Sequence, residues 1–452
     1  MIRSLLFLAS HELFDTRFYS LYRKYCDNQW LDYDELKAKQ ENQLKKIIAY
    51  AYNKVPYYKK IFDDRGIYPR SIQTVEDLER LPILSKNHIK NNWDVLKPKC
   101  LNSIHYYKES TGGTTGTPFE YRLDRYNRLL GLVLLYRGWS MAGYRLSDKT
   151  VFLGGASIDI GKSNFIQTRI HELGRHVKKL SSFDMSPREM IRFTKIINSF
   201  KPKFIRGYAS SIFFFSQWIA KEKIPIYHPK AVITTSDKLY DYMRSEIQNT
   251  LQCQVFDTYG LNDGGLGAYE CSEHKGMHID TERSILEVVD DENKKISKGT
   301  GRVIATSLFN YSMPFIRYET GDFAEASEKR CNCGRGSNIL NEITGRSVDI
   351  FVTPEGKYVH GWFFLYIFWE YSKGIKEYQV SQVSENKIII KIVPERNFDY
   401  SEIPKIKEII MDKSKNWNVE FVYQKSINRT ESGKFKFISN DYLANQNKAF
   451  ID

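Results

Sequence analysis

Apolar residues near the start of the chain recur at the spacing of an α-helix. Leu44, Ile47, Ile48 and Ala51 stand at positions i, i+3, i+4 and i+7, which places their side chains on one face of a helix. Lysine and arginine are frequent in the same region. The pattern predicts a helical, basic N-terminal region whose apolar face belongs to the core.

Shorter apolar runs follow from about residue 100 onwards. Residues 120–123 alternate in polarity, residues 129–134 have helical spacing, and the apolar runs 150–153 and 231–235 are separated by helical segments. Residues 212–219 are too few to span a membrane, which takes about 18 apolar residues, and they predict a buried helix. This succession predicts buried, mostly parallel strands in a large α/β domain.

The pattern changes again after about residue 340. Residues 387–393 and 419–422 have the character of strands, and residues 400–413 that of a charged amphipathic helix. We therefore predict an α/β fold with two domains: a large N-terminal domain of mixed sheets and helices, residues 1–345, and a small α+β C-terminal domain, residues 346–452.

Composition and charge narrow the class of protein. Hydrophobic residues make up 42% of the 452 residues and charged residues 27%, which excludes a disordered chain. The net charge of +13 favours anionic partners such as nucleotides, nucleic acid, acidic glycans or a membrane surface. No nucleic-acid-binding pattern accompanies the charge, so we expect no nucleic-acid partner. Neither a signal peptide nor a transmembrane run is recognisable, so we expect a cytoplasmic protein, for which peripheral membrane contact stays open.

A loop rich in glycine and hydroxyl side chains precedes the strand predicted at residues 120–123. Glycines let a backbone approach an anion closely, and consecutive N–H groups with hydroxyls can surround phosphate oxygens. The loop lacks the Gly-Lys-Ser/Thr ending of a Walker A sequence and the glycine order of a dinucleotide fingerprint, and locally a purely structural turn explains it equally well. Its residues are Ser110, Thr111, Gly112, Gly113, Thr114, Thr115, Gly116, Thr117 and Pro118.

Four further segments follow this loop in a recognisable order. They are residues 257–263 (Asp-Thr-Tyr-Gly-Leu-Asn-Asp), 318–322 (Tyr-Glu-Thr-Gly-Asp), 345–349 (Gly-Arg-Ser-Val-Asp) and 429–434 (Arg-Thr-Glu-Ser-Gly-Lys). Each segment alone is weak, but the five in this order resemble the adenylate-forming superfamily of acyl-CoA synthetases, luciferases and adenylation domains.

Within that superfamily the chain resembles the phenylacetate-CoA ligase family. The similarity lies in residues 51–58 (Ala-Tyr-Asn-Lys-Val-Pro-Tyr-Tyr), residues 81–86 (Leu-Pro-Ile-Leu-Ser-Lys), and Glu-Cys at 270–271 before Gly-Met-His-Ile at 276–279. By overall similarity it looks most like members associated with capsule or lipopolysaccharide synthesis rather than with phenylacetate breakdown.

The resemblance implies ATP and Mg²⁺ as cofactors and a role for each matched position. The loop from Ser110 to Thr117 would hold the β- and γ-phosphates. Asp257, Tyr259 and Gly260 would belong to the nucleotide site, where Tyr259 would border the adenine and Gly260 leave room for it. Asp322 would accept hydrogen bonds from the ribose, and Arg346 would lie near ribose and phosphate. Lys434 would neutralise the α-phosphate, with Lys436 as second choice, and Asp349 would be the hinge of a mobile C-terminal lid domain.

One position departs from the family pattern. A glutamate preceded by Thr or Ser binds Mg²⁺ there, whereas this chain has Asn262 and Asp263. An aspartate is one methylene shorter but still a hard oxygen ligand, so Mg²⁺ binding is expected to survive with altered reach. The local alternative is a simple turn, because Asn-Asp-Gly-Gly is strong turn chemistry.

The resemblance implies activation of a carboxylic acid as its acyl-AMP, followed by transfer to an acceptor. We expect an amide- or ester-forming ligase of surface polysaccharide synthesis, with an amine or hydroxyl acceptor. The alternatives are an aryl-acid CoA ligase that uses CoA and, more remotely, a non-catalytic nucleotide-binding protein. The acid is expected to bind near residues 206–210 and 235–237.

Three of the six cysteines suggest a metal site. Six cysteines in so long a chain do not form a disulfide scaffold. Cys271, Cys331 and Cys333 with one imidazole would make a tetrahedral Cys3His zinc site of structural character. His274 and His278 compete for the fourth position, and we favour His278 because it lies in the segment that resembles the family. Reduced thiols without metal are the alternative.

Overall fold

The computed structural model describes most of the chain. It covers residues 2–110, 119–154, 165–182, 185, 187–346, 350–355, 358–360, 363–364, 367–368, 374–429 and 435–442. Contacts divide the chain into two compact units, which meet in sequence between Thr344 and Gly345. In the described residues no helix has both the length and the apolar character needed to cross a bilayer.

The N-terminal region is helical, as its apolar spacing predicts. The third helix begins after Asp32, whose carboxylate accepts the backbone N–H of Glu35 while the Glu35 side chain accepts that of Asp32, a capping box. The predicted apolar face of this helix is buried. The helices of the region are α1 (Ile2–Glu12), α2 (Phe18–Asn28), α3 (Tyr33–Lys54), α4 (Pro56–Asp64) and α5 (Lys86–Asn91), with short 3-10 helices at Pro69–Ser71, Glu76–Arg80 and Leu101–Ser103.

Strands and helices alternate from residue 120 to residue 261, and the described elements from there up to residue 346 are strands. The strands are β1 (Tyr106–Ser110), β2 (Glu120–Asp124), β3 (Thr150–Gly154), β4 (Val177–Ser181), β5 (Phe204–Tyr208), β6 (Ala231–Thr235), β7 (Gln254–Leu261), β8 (Leu266–Glu270), β9 (Met277–Ile279), β10 (Ser284–Val289), β11 (Gly299–Ser307), β12 (Tyr318–Ala326) and β13 (Ile339–Arg346). The helices are α6 (Arg125–Ser140), α7 (Phe165–Arg175), α8 (Pro187–Phe200), α9 (Ala209–Glu222) and α10 (Asp241–Leu251).

Eleven of these strands form one sheet in the order β10-β11-β12-β13-β9-β8-β7-β6-β5-β3-β4. The half from β4 to β7 is parallel, as predicted for buried apolar strands between helices. The expectation of mostly parallel strands is wrong for the other half, where β7 pairs antiparallel with β8 and β8 with β9. The short turn from Asn262 to Gly265 reverses the chain, which only antiparallel pairing permits.

Two apolar clusters hold this unit together. One packs α3 and α4 on the antiparallel strands, with Leu44, Phe62 and Tyr318 fully buried. The other packs α1, α2 and α6 under the parallel strands and includes Phe204 and Ile233. Because Phe204 is buried in this cluster, residues 204, 206 and 208 lie on the face of the parallel strands that packs on these helices.

The second unit, from Gly345 onwards, is built on a small sheet. Its order is β18-β17-β16-β19, and β17 pairs antiparallel with β16 and parallel with β18. The helix within the predicted range 400–413 begins at Glu402 and ends at Met411. The elements are β14 (Ile350–Val352), β15 (Tyr358–His360), β16 (Ile375–Ser384), β17 (Lys387–Pro394), α11 (Glu402–Met411), β18 (Asn418–Tyr423) and β19 (Ile438–Asn440).

Candidate active site and candidate metal centre

Two residues of the predicted nucleotide site meet directly. Tyr259 lies on β7 and Asp322 on β12, and the Tyr259 hydroxyl donates to Asp322 Oδ2 at 2.8 Å. The Asp322 backbone is fixed as well, since its N–H donates to Thr320 Oγ1 at 3.0 Å and that hydroxyl donates to Val303 O at 2.9 Å. Both sequence segments that contribute to the predicted adenosine site therefore converge on one carboxylate.

Asp263, the predicted Mg²⁺ ligand, lies in the turn after β7 and is buried. Its Oδ2 accepts the Tyr318 hydroxyl at 2.6 Å. Burial raises the pKa of Asp263, while this hydrogen bond and the charge of Lys86 oppose the rise. A buried carboxylate with a raised pKa gains from a nearby cation, so the residue fits a metal ligand in character, although it also belongs to a turn.

Lys86 is a further residue of the candidate site. It belongs to the segment 81–86 that resembles the family, but the sequence assigned it no role. It begins α5, and its charge acts on Asp263. The backbone of Leu84 holds it there: Leu84 N–H donates to Arg317 O at 2.8 Å, and Glu319 N–H donates to Leu84 O at 3.0 Å. The Leu-Pro-Ile-Leu-Ser-Lys segment thus runs beside the start of β12.

Arg317 stabilises the position of the segment 81–86 through its side-chain contacts. Its guanidinium donates to Leu81 O at 2.9 Å, and it lies 3.2 Å from Glu287, which is fully buried. Burial raises the pKa of Glu287 to about 7, and the charge of Arg317 works against that rise. The local pattern around residue 317 does not predict the contact with Leu81, because the two residues are 236 positions apart in the chain.

Asp257 belongs to a different network from Tyr259 and Asp322. Its Oδ1 accepts the Thr234 hydroxyl at 2.6 Å, and its backbone N–H donates to Glu270 Oε2 at 2.8 Å. Arg244 pairs with Glu270 at 2.7 Å. Burial raises the pKa of Asp257 to about 7. The contacts of this carboxylate tie β7 to β6. The predicted part of Asp257 in nucleotide binding stays a prediction.

The remaining predicted site residues are described only in part. Gly260 lies near the end of β7, Ser110 is exposed at the end of β1, and Arg346 ends β13. Lys436 follows in the small unit just before β19. The predicted positions outside the described residues are Thr111, Gly112, Gly113, Thr114, Thr115, Gly116, Thr117, Asp349 and Lys434.

Three cysteines and one histidine converge at the other side of β8 and β9. Potential ligand atoms of Cys271, His278, Cys331 and Cys333 all lie within 4.8 Å of one another. Cys271 Sγ and Cys331 Sγ are 3.5 Å apart, and Cys333 Sγ is 3.3 Å from His278 Nε2. His274 instead places Nδ1 3.3 Å from Glu270. Of the two competing imidazoles, His278 is therefore the one beside the thiols.

The electrostatics of the cluster suit a thiophilic cation. Burial and the charge of Arg335 lower the pKa of His278 to about 4, so its imidazole is neutral at pH 7. His278 Nδ1 is 3.1 Å from Ser337 Oγ, which leaves Nε2 free to face the thiols. Burial raises the pKa of the Cys271 thiol to about 12. For Cys333 burial acts in the same direction, but hydrogen bonds and charge from Arg335 lower its pKa overall.

The cysteine loop also packs on the corner between α2 and α3. The Arg335 guanidinium lies 4.5 Å from the ring centroid of Trp30 and donates to Gln29 at 2.8 Å. Arg330 lies 3.9 Å from the ring of Tyr33. A Cβ at Gly336 would come within 2.1 Å of Leu31 O, so glycine is required for this close approach. A rigid loop at residues 331–337 would therefore hold the N-terminal helices in place.

Comparison with solved structures defines the fold. The structure of 2-hydroxyisobutyryl-CoA ligase with 2-HIB-AMP superposes with a TM-score of 0.71 at 18% identity, covering 93% of this chain and 94% of that one. An anthranilate CoA ligase with anthranoyl-AMP superposes with a TM-score of 0.52 at 15% identity, covering 73% and 65%. The fold is that of the adenylate-forming CoA ligases.

Sequence comparison then identifies the homologues. The chain is 25% identical over 340 residues to phenylacetate-coenzyme A ligase of Thermus thermophilus, covering 71% of this chain and 72% of that protein. It is 23% identical over 407 residues to protein CapK of Staphylococcus aureus, covering 89% and 88%. Residues 351–441 match the model of the CapK C-terminal domain. The expected resemblance is confirmed: the homologues are phenylacetate-coenzyme A ligases and CapK.

Proposed function

We propose that this protein uses ATP to activate a carboxylic acid as an acyl-adenylate and then transfers the acyl group to an acceptor. The observation that carries the proposal is the convergence of Tyr259 and Asp322, at 2.8 Å, from two of five segments that stand in the order typical of adenylate-forming enzymes. The homologous CoA ligases support the same reaction class.

In the first half-reaction a carboxylate oxygen attacks the α-phosphorus of ATP. The bond from that phosphorus to the bridging oxygen of the β-phosphate breaks, and pyrophosphate leaves with the electron pair. Asp322 accepts hydrogen bonds from the ribose hydroxyls, and Tyr259 holds its carboxylate in place. The loop at residues 110–117 holds the outgoing phosphates, Arg346 binds near ribose and phosphate, and Lys434 offsets charge at the α-phosphate.

Asp263 is the residue that would hold Mg²⁺. Its carboxylate is buried, and its Oδ2 accepts the Tyr318 hydroxyl at 2.6 Å. Carboxylate oxygens are hard ligands that suit Mg²⁺. A magnesium ion supplies charge neutralisation to the phosphates when bound. Lys86 lies close enough to act on the same carboxylate and adds positive charge to this side of the site.

In the second half-reaction a nucleophile attacks the acyl carbonyl carbon, and the bond to the AMP oxygen breaks. We propose that the residues from 346 onwards form a lid domain that rotates about Asp349 between the two half-reactions, while residues 1–345 bind ATP and the acid. We propose that the acceptor is an amine or hydroxyl group in surface polysaccharide synthesis and that the protein acts in the cytoplasm; the similarity to CapK, over 89% of the chain, supports the capsule role by that protein's name alone. The ligase homologues equally support CoA, which would give a thioester.

We further propose that Cys271, His278, Cys331 and Cys333 hold one structural zinc ion. The donor set of three sulfurs and one neutral imidazole, within 4.8 Å of one another, fits tetrahedral zinc. With four protein ligands no position remains for a substrate, so the ion would supply rigidity to the cysteine loop and, through Arg335 and Trp30, to the N-terminal helices.

Pyrophosphate release tests this function and separates the acceptors. Purified protein is assayed with ATP, Mg²⁺ and a panel of aryl acetates, amino acids, uronic acids and short dicarboxylic acids, each with and without CoA. The expected result is acid-dependent release, and stimulation by CoA would identify a thioester-forming ligase. Release with an amine or sugar acceptor but without CoA stimulation would favour the polysaccharide assignment. ATP binding without release for any acid would support the non-catalytic alternative.

A further inference from the structure

An arginine without a counter-ion lies in one of the two segments near which the acid is expected to bind. Arg206 is the central residue of β5, and its guanidinium lies 4.0 Å from the ring centroid of Trp139 and 4.8 Å from that of Phe152. It makes no hydrogen bond or ion pair with any residue that the structure describes, and its Nε is buried without a partner. Burial lowers the pKa of Arg206 to about 10, so the group remains charged at pH 7.

A second guanidinium approaches the same spot from α7. Arg175 contacts His11 Nε2, and both arginines act electrostatically on the Tyr136 hydroxyl. His11 Nδ1 lies 2.8 Å from Phe7 O and donates to it, so Nε2 is left as an acceptor, 3.1 Å from the Tyr136 hydroxyl. Burial and the charge of Arg175 lower the pKa of His11 to about 3, which keeps its ring neutral.

No carboxylate of the described residues balances these two charges. The nearest acidic residue on α7, Glu172, is engaged by Lys178 at 2.6 Å. Aromatic faces stabilise a cation modestly, but they leave the N–H donors of a guanidinium unsatisfied, and buried unpaired charge is costly. An arginine in this state is suited to a carboxylate or phosphate that arrives with a ligand, because the planar fork matches two oxygens.

The position of Arg206 relates this charge to the candidate active site. Arg206 pairs across the sheet with Ile233 of β6, and Tyr208 pairs with Thr235. Alternate residues of a strand share a face, so Arg206 and Tyr208 point to the same side as Ile233 and Thr235. Arg206 and Thr235 both belong to the segments 206–210 and 235–237, near which we expect the acid, and Arg206 lies at the middle of its strand, whereas Thr235 ends β6.

We propose that the acid activated by this protein carries a second anionic group, and that Arg206, assisted by Arg175, binds that group. The inference rests on the proposed function and narrows its substrate class to dicarboxylic acids or acids that carry a phosphate or sulfate. The reacting carboxylate lies toward the strand ends, and the second group lies against the rings of Trp139 and Phe152. An apolar acid such as phenylacetate would leave the Arg206 guanidinium without a counter-ion.

Paired probes test the inference. Glutarate is compared with valerate, and 4-carboxyphenylacetate with phenylacetate, by ATP-dependent pyrophosphate release and, independently of turnover, by the shift in melting temperature on addition of each acid. The variants are Arg206→Met, which retains length without charge, and Arg206→Lys, which retains charge. Arg192→Met is the control, since Arg192 is exposed on α8 and pairs with Glu189.

We expect the dianionic member of at least one pair to be favoured in kcat/KM and to raise the melting temperature. Arg206→Met should lower kcat/KM for that acid on the order of 30-fold or more and abolish its temperature shift. Arg206→Lys should retain part of both, and Arg192→Met all of both. Arg175→Met should weaken binding of the dianion without affecting its monoanionic partner.

The outcomes separate this inference from the proposed function. Pyrophosphate release that favours the monoanions and is unchanged in Arg206→Met would overturn the inference and leave adenylation standing. An Arg206-dependent temperature shift with dianions, without pyrophosphate release, would support the anion site and contradict the activity. No temperature shift with either dianion would overturn the inference, as would equal losses for both members of a pair in Arg206→Met.

Discussion

The hydroxyl of Tyr259 donates to Asp322 across 2.8 Å, although the two residues are 63 positions apart in the chain. The bond joins β7 to β12 and leaves the carboxylate in a fixed orientation. In the proposed site this carboxylate accepts hydrogen bonds from the ribose hydroxyls of ATP, so its orientation determines the position of the bound ribose.

We predict that Asp322→Asn raises the KM for ATP by roughly 10- to 100-fold, because hydrogen bonds to a charged group contribute about 1.5–3 kcal/mol. Tyr259→Phe should raise it less, about tenfold, since the carboxylate remains but loses its orientation. Tyr68→Phe, at an exposed tyrosine, is the control. Saturation curves for ATP in the pyrophosphate assay measure all three, and KM values equal to that of the control would contradict the assignment.

The cysteine cluster makes a separate prediction about metal content. Purified protein should contain about one zinc per chain, and Cys331→Ser or His278→Gln should lose it together with about 2 kcal/mol or more of the free energy of unfolding. His274→Gln and Cys100→Ser should keep the metal, because neither residue belongs to the cluster. Elemental analysis with denaturant titration measures both quantities. Zinc-free wild-type protein of unchanged stability would rule the site out.

Stability should fall on acidification because of His11. The unfolded chain takes up a proton below pH 6.5, whereas the folded protein, with the pKa of His11 lowered to about 3, does not. The stabilising contribution is therefore complete above pH 6.5 and is lost as the pH falls. Between pH 7 and pH 5 we expect wild-type protein to lose about 2 kcal/mol relative to His11→Gln, by denaturant titration.

The exposed His105 provides the control for that measurement. His105→Gln should show the same pH dependence as the wild type. A wild-type profile parallel to that of His11→Gln would mean that His11 is protonated in the folded protein, contrary to the hydrogen bonds around it.

Lys434 should separate the two half-reactions. Lys434→Ala is expected to lower pyrophosphate release at least about 100-fold, since removal of one group that stabilises developing charge costs about 2.7–4 kcal/mol. Transfer from a supplied acyl-adenylate should be nearly unchanged. Lys436→Ala tests the second choice, and Lys425→Ala is the control. If Lys436→Ala rather than Lys434→Ala blocked adenylation, the two lysines would exchange roles.

Local patterns predicted the elements that local interactions determine. Helix α3 follows from its apolar spacing and from Asp32, both of which lie within a few residues. The parallel strands β3 and β6 follow from continuous apolar runs. The antiparallel half of the sheet was not predicted, because it depends on the turn at 262–265 and on pairings such as β9 with β13, which are about 60 positions apart.

In the candidate site, too, the sequence predicted the contributing segments but not the long-range contacts between them. The sequence order indicated which segments contribute, and His278 was favoured over His274 on resemblance alone. The effect of the Lys86 charge on Asp263 and the contact of Arg317 with Leu81 are not visible in the sequence, because they join the N-terminal region to residues that are far away in the chain, 236 positions for Arg317 and Leu81. The lack of a counter-ion at Arg206 could not be predicted either, because it depends on the distances between Arg206 and carboxylates that are remote in the sequence.

The most direct test of the central claim is the exchange of labelled pyrophosphate into ATP. The reaction reports reversible formation of an enzyme-bound acyl-adenylate without knowledge of the acceptor. We predict exchange that requires both Mg²⁺ and an acid, strongest with the dianionic probes, and lowered at least about tenfold in Asp322→Asn. Protein that binds ATP but catalyses no exchange with any acid of the panel would contradict the account.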